Sequence, residues 1–175
     1  QTKKEKFETS KKAIINYCEM IKYKKKKKLK TVEIGCGFGD LSENLHKLGF
    51  NTFGTDISKS AIKKAKKINK GCTFYHSDFI NDELYLKINP DIFILSEISW
   101  YVLPQLKYFI KFLKKNFKDK FIIHTLAIYY PGKQKYGLNY FKDLKGILKY
   151  FKLNYIEYGE KWNKEEGRTY FLAKI

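Results

Sequence analysis

The chain has 175 residues, 43% of them hydrophobic and 17% aromatic, and a formal net charge of +18. A chain of this length buries about 70% of its unfolded surface, so the composition fills one core and excludes extended disorder. All 36 basic residues except Arg168 are lysines, whereas proteins that read nucleic acid usually rely on the arginine fork. The charge pattern therefore disfavours nucleic acid as a partner without excluding it.

No segment of the sequence predicts insertion into a membrane or export. The longest apolar run, 121–130, stops at Pro131 and is shorter than the ~18 residues of a membrane span. The first residues lack the apolar segment of a secretory signal, and the three cysteines have no metal-ligand spacing. We therefore expect a soluble, cytoplasmic protein, monomeric or homodimeric, with reduced thiols and no structural metal.

Apolar residues at a mostly helical spacing predict an N-terminal helix over 3–22, followed by an exposed lysine-rich link at Lys24–Lys28. From Leu29 short apolar runs alternate with helical segments, which is typical of strand–helix units around a parallel sheet. The predicted strands are 30–34, 51–55, 72–76, 91–96, 120–127, 152–159 and 168–175, and the predicted helices are 40–48, 58–69, 80–87, 104–117 and 139–150. About eight residues separate the last two strands, too few for a crossover helix, which predicts an antiparallel hairpin. These elements form one domain over 1–175, in which 1–28 are helix and link.

A glycine-rich loop follows the first predicted strand, in Glu33-Ile34-Gly35-Cys36-Gly37-Phe38-Gly39. Three glycines at every second position leave a backbone without side-chain bulk, against which a ligand can lie. A dinucleotide fingerprint reads GxGxxG and places a pyrophosphate at the helix N-terminus, but here the third glycine comes one residue earlier. Glu33 suits a positive charge better than a phosphate, which favours a ligand that carries an amine or a sulfonium.

This segment resembles the ExGxGxG motif of class I S-adenosylmethionine-dependent methyltransferases. The resemblance covers residues 33–97, and the C-terminal hairpin resembles the antiparallel seventh strand of that family. It implies an α/β fold, a Rossmann-like three-layer sandwich around a seven-stranded, mostly parallel sheet in the order 3-2-1-4-5-7-6. It also implies S-adenosyl-L-methionine as the cofactor, bound by a loop that contains Glu33, Gly35, Cys36, Gly37 and Gly39.

The ends of later strands supply the other cofactor positions that the resemblance implies. Asp56 closes the second strand about 20 residues past the loop, at the distance where an acidic group reaches a ribose diol, and Ile57 follows it against the adenine. After the third strand, Asp78 matches the family's acidic residue on the adenine amino group, and Phe79 matches its apolar neighbour. Ser96, at the end of the fourth strand, completes the set.

Each of these features also has a purely structural interpretation. The glycines could form a tight turn, and Asp56 and Asp78 could be helix-terminal residues. Three independent features occur in the right order, each at the carboxyl end of a strand, where open sheets bind ligands. That combination argues against coincidence.

The fourth strand leads into Ser96-Glu97-Ile98-Ser99-Trp100-Tyr101, without the proline pair that methyltransferases of nucleic-acid bases commonly carry there. The segment resembles the SEVLYY pattern of small nodulation-type N-methyltransferases, which act on an amino sugar of an oligosaccharide. Glu97 could bind the cofactor, accept a proton or only cap the next turn, and Tyr101 could cover the methyl donor or only fill core. We favour functional roles for both because they follow the carboxyl end of a strand.

Two features of the fifth strand and its loop concern the acceptor. His124 lies within the strand, where a histidine is more often a packed core group than a base, so its catalytic role is the minority interpretation. The segment 127–138 contains Tyr129, Tyr130 and Tyr136, which predicts a substrate loop suited to sugar faces or flat rings.

Together these features predict an enzyme that transfers a methyl group from S-adenosylmethionine to an oxygen or nitrogen of a small molecule or saccharide. With a saccharide as the acceptor, the reaction is carbohydrate modification. Orientation would supply much of the acceleration because the sulfonium is already reactive, with Glu97 or His124 as a modest proton acceptor. One alternative is an RNA or protein methyltransferase that uses the lysine-rich surface. Another is a non-catalytic cofactor-binding module.

Overall fold

The computed structural model describes residues 3–25 and 27–175, with side chains from Thr9 onward. Its helices are α1 (Lys3–Lys25), α2 (Asp40–Lys47), α3 (Lys59–Ile68), α4 (Asp82–Ile88), α5 (Leu103–Asn116) and α6 (Leu144–Phe151), and a short 3₁₀ helix spans Ser99–Tyr101. Its strands are β1 (Lys30–Ile34), β2 (Asn51–Asp56), β3 (Thr73–His76), β4 (Ile92–Ser96), β5 (Phe121–Tyr129), β6 (Asn154–Trp162) and β7 (Glu166–Lys174). None of the helices in these described ranges combines the length and the apolar character that crossing a bilayer requires.

The seven strands form one sheet in the order β3-β2-β1-β4-β5-β7-β6. β1 pairs in parallel with β2 and β4, so Ile34 lies beside Thr55 on one side and Leu95 on the other. β7 pairs antiparallel with both β5 and β6. The predicted strand order and the predicted Rossmann-like α/β fold are therefore confirmed. The direction of winding changes between β1 and β4, the place where open sheets bind ligands.

Helices cover both faces of the sheet, and consecutive residues of β4 show how the core divides. Ile92 and Ile94 pack with residues of α1 and α2, whereas Phe93 and Leu95 pack with residues of α4, α5 and α6. The alternation arises because adjacent strand residues point to opposite faces. All four side chains are fully buried, as expected for a parallel strand that is covered on both sides.

Several element boundaries differ from the prediction. α1 continues to Lys25, so the first residues of the predicted link are helical, and Lys26 lies outside the described residues. α6 begins at Leu144 rather than at 139 because Asp143 caps it, accepting a hydrogen bond from the Gly146 N–H at 2.6 Å. The last two strands are longer than predicted because their antiparallel ladder continues almost to the connecting turn.

Candidate active site

A cavity of about 410 Å³ opens at the carboxyl ends of β1, β2, β3 and β4. Its lining residues are Ile34, Gly35, Thr55, Asp56, Ile57, Ser77, Asp78, Phe79, Ser96, Glu97, Ile98, Tyr101, Val102 and Gln105. The predicted site residues among them are Gly35, Asp56, Ile57, Asp78, Phe79, Ser96, Glu97 and Tyr101. The predicted site residues outside this lining are Glu33, Cys36, Gly37, Gly39 and His124.

Backbone donors from two loops hold the Asp56 carboxylate in place. The Gly37 N–H donates to Oδ2 and the Ser58 N–H donates to Oδ1, each at 2.8 Å. Gly37 has φ 54°, in the left-handed region that favours glycine, and a Cβ there would meet no atom within 4 Å. Each carboxylate oxygen has a further lone pair, so Asp56 can still accept hydrogen bonds from a diol.

The other side of this cavity combines apolar walls with a second carboxylate. Ile57 is 69% exposed and Phe79 is buried, and both line the cavity. Asp78 Oδ1 accepts a hydrogen bond from the Ile80 N–H at 3.2 Å. Asp78 therefore closes the turn after β3 and also borders the cavity, so its structural and its binding interpretation are compatible. A flat ring that carries an amino group fits these walls.

Glu33 lies behind the glycine loop instead of in the cavity. Its side chain is buried, and Oε2 accepts a 2.5 Å hydrogen bond from the Ser42 hydroxyl of α2. Burial raises the pKa of Glu33 to about 7, although the hydrogen bond from Ser42 opposes that rise. This carboxyl group ties β1 to α2 beneath the loop, and its predicted contact with a ligand's positive charge stays a prediction.

Replacing Glu33 with glutamine is expected to remove a pH dependence of stability. The folded pKa of about 7 lies above the ordinary value of about 4.3, so the folded chain binds this proton more tightly. The resulting stabilisation is complete below about pH 4 and is lost as the pH rises to about 7. The free energy of unfolding of Glu33→Gln, measured with urea at pH 8, should therefore exceed that of the unaltered chain by on the order of 3 kcal/mol. The difference should be smaller at pH 5.

The control for this measurement is Glu43→Gln on α2, the helix that carries Ser42, since Glu43 is 37% exposed and pairs with Lys47 at the surface. Its stability should follow the unaltered chain at both pH values, because exposed pairs contribute little. Parallel stability curves for Glu33→Gln and the unaltered chain between pH 5 and pH 8 would contradict the assignment.

Cys36 and Gly39 also support the loop from behind. Cys36 packs with Phe74 in a small core cluster, and burial raises the pKa of its thiol. A Cβ on Gly39 would lie 2.6 Å from the Phe74 ring, so a larger residue does not fit without movement. These two predicted cofactor positions are packed against neighbouring side chains, and Gly35 is the loop glycine that lines the cavity.

Glu97 lies where the cavity of about 410 Å³, the candidate cofactor cavity, meets α1 and β7. Its Oε1 accepts a hydrogen bond from the Ser10 hydroxyl at 2.7 Å, and its Oε2 accepts from the Ala127 N–H at 2.8 Å and from Arg168 Nη1 at 2.7 Å. Glu97 has φ 58°, a conformation that is uncommon outside glycine and is found at functional sites. Three donors already engage this carboxylate, which favours a positioning role over proton acceptance.

Tyr101 joins the cofactor cavity to a second cleft. Its side chain is 85% exposed, and it lines both the first cavity and an aromatic cleft of about 590 Å³. The aromatic cleft is lined by Trp100, Tyr101, Tyr129, Lys133, Gln134, Lys135 and Tyr136. Trp100 donates from Nε1 to the Ala127 carbonyl at 2.7 Å, which fixes one wall. The structure thus brings the predicted substrate loop next to the cofactor cavity.

His124 is a fully buried core residue. Its ring stacks on Phe171, with centroids 4.9 Å apart and planes at 14°, and it also contacts Phe151. Nε2 and the Ser99 hydroxyl share a 2.8 Å hydrogen bond. Burial lowers the pKa of His124 to about 3, so the ring is neutral at physiological pH. This placement supports the packed-core interpretation of His124 and gives it no contact with the cavity.

The site also contains residues that the sequence analysis did not select. Thr55, Val102 and Gln105 line the cavity, and Arg168 acts on it through Glu97. Arg168 binds Glu97 through Nη1 and Glu166 through Nη2, both at 2.7 Å. A signal for it was present, because a single arginine in a lysine-rich chain marks a position where forked hydrogen bonding matters.

A cavity at the switch point of the sheet, bordered by a glycine loop and by an acidic residue at the end of β2, is the arrangement in which Rossmann-like folds bind a nucleoside-containing ligand. Residues 25–131 match a protein-family model that is described as a methyltransferase domain. These residues include β1 to β5 and the residues that line the cavity. The chain belongs to this family. No curated protein sequence matches it.

Solved structures share the fold at low sequence identity. An S-adenosylmethionine-dependent methyltransferase from Clostridium acetobutylicum is 18% identical, with a TM-score of 0.70 over 97% of this chain and 92% of that one. TehB from Haemophilus influenzae is 16% identical, with a TM-score of 0.72 over 93% of this chain and 61% of TehB. Magnesium protoporphyrin IX methyltransferase from Synechocystis, solved with bound SAH, is 16% identical, with a TM-score of 0.69 over 95% and 81%. The chain therefore spans less than two thirds of TehB.

Proposed function

We propose that this methyltransferase transfers the methyl group of S-adenosylmethionine to an oxygen or nitrogen nucleophile of a small molecule or saccharide. The observation that carries the proposal is a pair of adjoining cavities, of about 410 Å³ and about 590 Å³, which share Tyr101. A transfer between two bound molecules requires both to lie side by side, and holding them in that arrangement supplies much of the acceleration.

The cavity at the switch point offers carboxylate acceptors and apolar walls that suit S-adenosylmethionine, and the Synechocystis methyltransferase was also solved with that cofactor. Asp56 would accept hydrogen bonds from the ribose hydroxyls, while Ile57, Asp78 and Phe79 would enclose the adenine. Gly35 would let the rest of the cofactor approach the backbone closely. When bound, the cofactor supplies an electrophilic methyl group on a sulfonium.

The aromatic cleft would hold the acceptor. Tyr129 and Tyr136 are 38% and 62% exposed, so their rings can pack against the apolar face of a sugar or against a flat ring. Lys133 and Lys135 line the same cleft and can donate hydrogen bonds to hydroxyl or anionic groups. An acceptor in this cleft meets the cofactor cavity at Tyr101.

Glu97 would orient the nucleophile. Oε2 is held by Arg168 and by the Ala127 N–H, and Oε1 receives the Ser10 hydroxyl. A lone pair of Oε1 is still available to accept a hydrogen bond from an acceptor hydroxyl or amine. Because the sulfonium is already reactive, alignment of that nucleophile is worth more than strong proton abstraction, which a carboxylate paired with arginine performs poorly.

Binding and transfer can be tested separately. Calorimetry measures affinity for S-adenosylmethionine, and incubation of a cell extract with methyl-labelled cofactor, followed by separation by size, locates the label. We expect cofactor binding and label in the small-molecule fraction. Label in RNA or protein would support the macromolecular alternative, and binding without any transfer would support the non-catalytic module.

Replacing Tyr101 with alanine should lower kcat/KM for the labelled acceptor about 10-fold or more, the equivalent of about 1.4 kcal/mol, with a smaller change in cofactor affinity. Tyr23→Ala is the matched control, because Tyr23 is 82% exposed and lies outside both cavities. Tyr23→Ala should retain the kcat/KM of the unaltered chain. Equal losses of kcat/KM in Tyr101→Ala and Tyr23→Ala would show that Tyr101 does not contribute to the binding or alignment of the acceptor.

A further inference from the structure

A third concave surface lies between α5 and α6, in the layer of α4 to α6. This groove, the α5–α6 groove, has a volume of about 670 Å³. Its lining residues are Lys107, Ile110, Lys111, Lys114, Tyr140, Gly146, Lys149, Tyr150 and Lys152. The α5 members recur every three or four residues and therefore share one helical face. Neither the cofactor cavity nor the aromatic cleft includes any of them.

The charge of this groove has one sign. Its lining contains five lysines and no carboxylate; Asp143, which caps α6, borders the groove at Gly146 and is already bonded to the Gly146 N–H. Within the described ranges, none of the five lysines forms a salt bridge. Clustering like charges around a concave surface focuses a positive potential there and attracts anions.

Lys114 shows how close this clustering is. Its Nζ donates to the carbonyls of Phe151 and Lys152 at 2.9 and 2.8 Å, at the end of α6. Partial burial and the neighbouring charge of Lys152 lower the pKa of Lys114. Lys114 therefore joins the two helices, while the exposed side chains of Lys107, Lys111 and Lys149 are available to a ligand.

Two aromatic rings accompany the lysines. Tyr140 and Tyr150 are half-buried and lie with ring centroids 6.0 Å apart, so the groove joins cations to aromatic surface. Lysines that follow a phosphate backbone, beside aromatic side chains on which bases stack, are the combination that binds single strands. An acidic polypeptide would use only the charges. A bilayer would require exposed apolar side chains, but Ile110, the one aliphatic side chain in the lining, is buried.

We propose that the α5–α6 groove binds single-stranded nucleic acid, with phosphates on Lys107, Lys111 and Lys149 and bases against Tyr140 and Tyr150. The cofactor cavity and the groove share no lining residue, and α5 contributes Gln105 to the first and Lys107 to the second. A bound strand would therefore hold the enzyme on nucleic acid without entering the aromatic cleft. This site is independent of the acceptor proposed above.

The test compares two equal changes of charge. Fluorescence anisotropy of a labelled 12-nucleotide RNA of mixed sequence, and of the same sequence as DNA, is measured at 50 and 200 mM salt. The groove variant is Lys111→Glu with Lys149→Glu, and the matched control is Lys63→Glu with Lys67→Glu, two exposed lysines of α3 in the other helical layer. Tyr150→Leu tests the aromatic contribution, and calorimetry of S-adenosylmethionine binding confirms that each variant is folded.

We expect the unaltered chain to bind both strands, more weakly at the higher salt concentration because phosphate contacts dominate. The groove variant should lose about 10-fold or more in affinity, the α3 control less than about 3-fold, and Tyr150→Leu an intermediate amount; base stacking contributes about 1–3 kcal/mol. Equal losses in the groove variant and the α3 control would show a diffuse effect of net charge and overturn the proposal. So would no binding by the unaltered chain.

A competition experiment distinguishes nucleic acid from an acidic polypeptide as the ligand of the groove. Two results together would assign the groove to an acidic polypeptide instead of nucleic acid: displacement of the strand by poly-glutamate at equal charge concentration, and unchanged strand affinity in Tyr150→Leu. Cofactor affinity should be the same in all four proteins. A failure of the groove proposal therefore leaves the proposed methyl transfer untouched, and loss of transfer leaves the binding result untouched.

Discussion

Replacing Gly37 with valine is expected to lower the affinity for S-adenosylmethionine about 100-fold or more while the sheet stays folded. Gly37 has φ 54°, and a Cβ on it would enter space that holds no protein atom within 4 Å. Its N–H also holds Asp56 at 2.8 Å, so a shift of the loop would misplace the carboxylate that meets the ribose. Calorimetry of cofactor binding measures the loss, which corresponds to about 2.8 kcal/mol.

Gly132→Val separates this effect from backbone strain. Gly132 lies in the loop after β5, has φ 83°, and has the same open space around its Cβ position. A valine in the left-handed region costs roughly 1–2 kcal/mol at either position, so both variants should lose similar stability in urea. Only Gly37→Val should lose cofactor affinity. Unaltered affinity in Gly37→Val would contradict the placement of the cofactor against this loop.

The strand order and the glycine loop could be predicted because their signals are local. The glycine loop directly follows β1 and Asp56 ends β2, and parallel strands bring such ends to one edge of the sheet. The position of the cavity can therefore be predicted from local sequence signals, without any contact between distant residues. Asp78 is found in the same way, since it follows β3 by two residues.

The surroundings of Glu33 and His124 depend on contacts that the sequence does not show. Glu33 follows the family pattern, yet its partner is Ser42 on the next helix, and that contact turns its carboxyl away from the cavity. His124 lies in a strand that is buried on both faces, and the ring that stacks on it, Phe171, belongs to the antiparallel last strand. Periodicity places a residue on a strand, but burial depends on which helices cover each face.

Replacing Arg168 with methionine is expected to lower the free energy of unfolding by about 3 kcal/mol, because removal of one partner leaves an uncompensated, mostly buried charge. The side chains of Arg168 and Glu97 are only 16% and 21% exposed. Arg168→Lys should recover little of the loss, since one ammonium cannot replace a fork that binds Glu97 and Glu166 at once. Urea denaturation measures all three proteins.

Lys27→Met is the surface control. Lys27 also pairs with a carboxylate, Asp91, but its side chain is 56% exposed, and Asp91 keeps Lys120 and the Lys30 N–H as partners. The cost should stay below about 1 kcal/mol, as for other exposed pairs. A similar cost for Lys27→Met and Arg168→Met would mean that the Arg168 cluster contributes no more than an ordinary surface ion pair.

A double substitution then distinguishes stability from alignment. Adding Glu97→Gln to Arg168→Met removes the charge of Glu97, and the single amide oxygen can still accept the hydrogen bond from the Ala127 N–H while the amide NH2 donates to the Ser10 hydroxyl. The double variant should therefore regain part of the stability that Arg168→Met lost. Methyl transfer should not return with it, because the fork that fixes Glu97 at the edge of the cofactor cavity is gone. Recovery of stability and turnover together would show that Arg168 acts only by balancing charge. That result would contradict the positioning role proposed for Glu97.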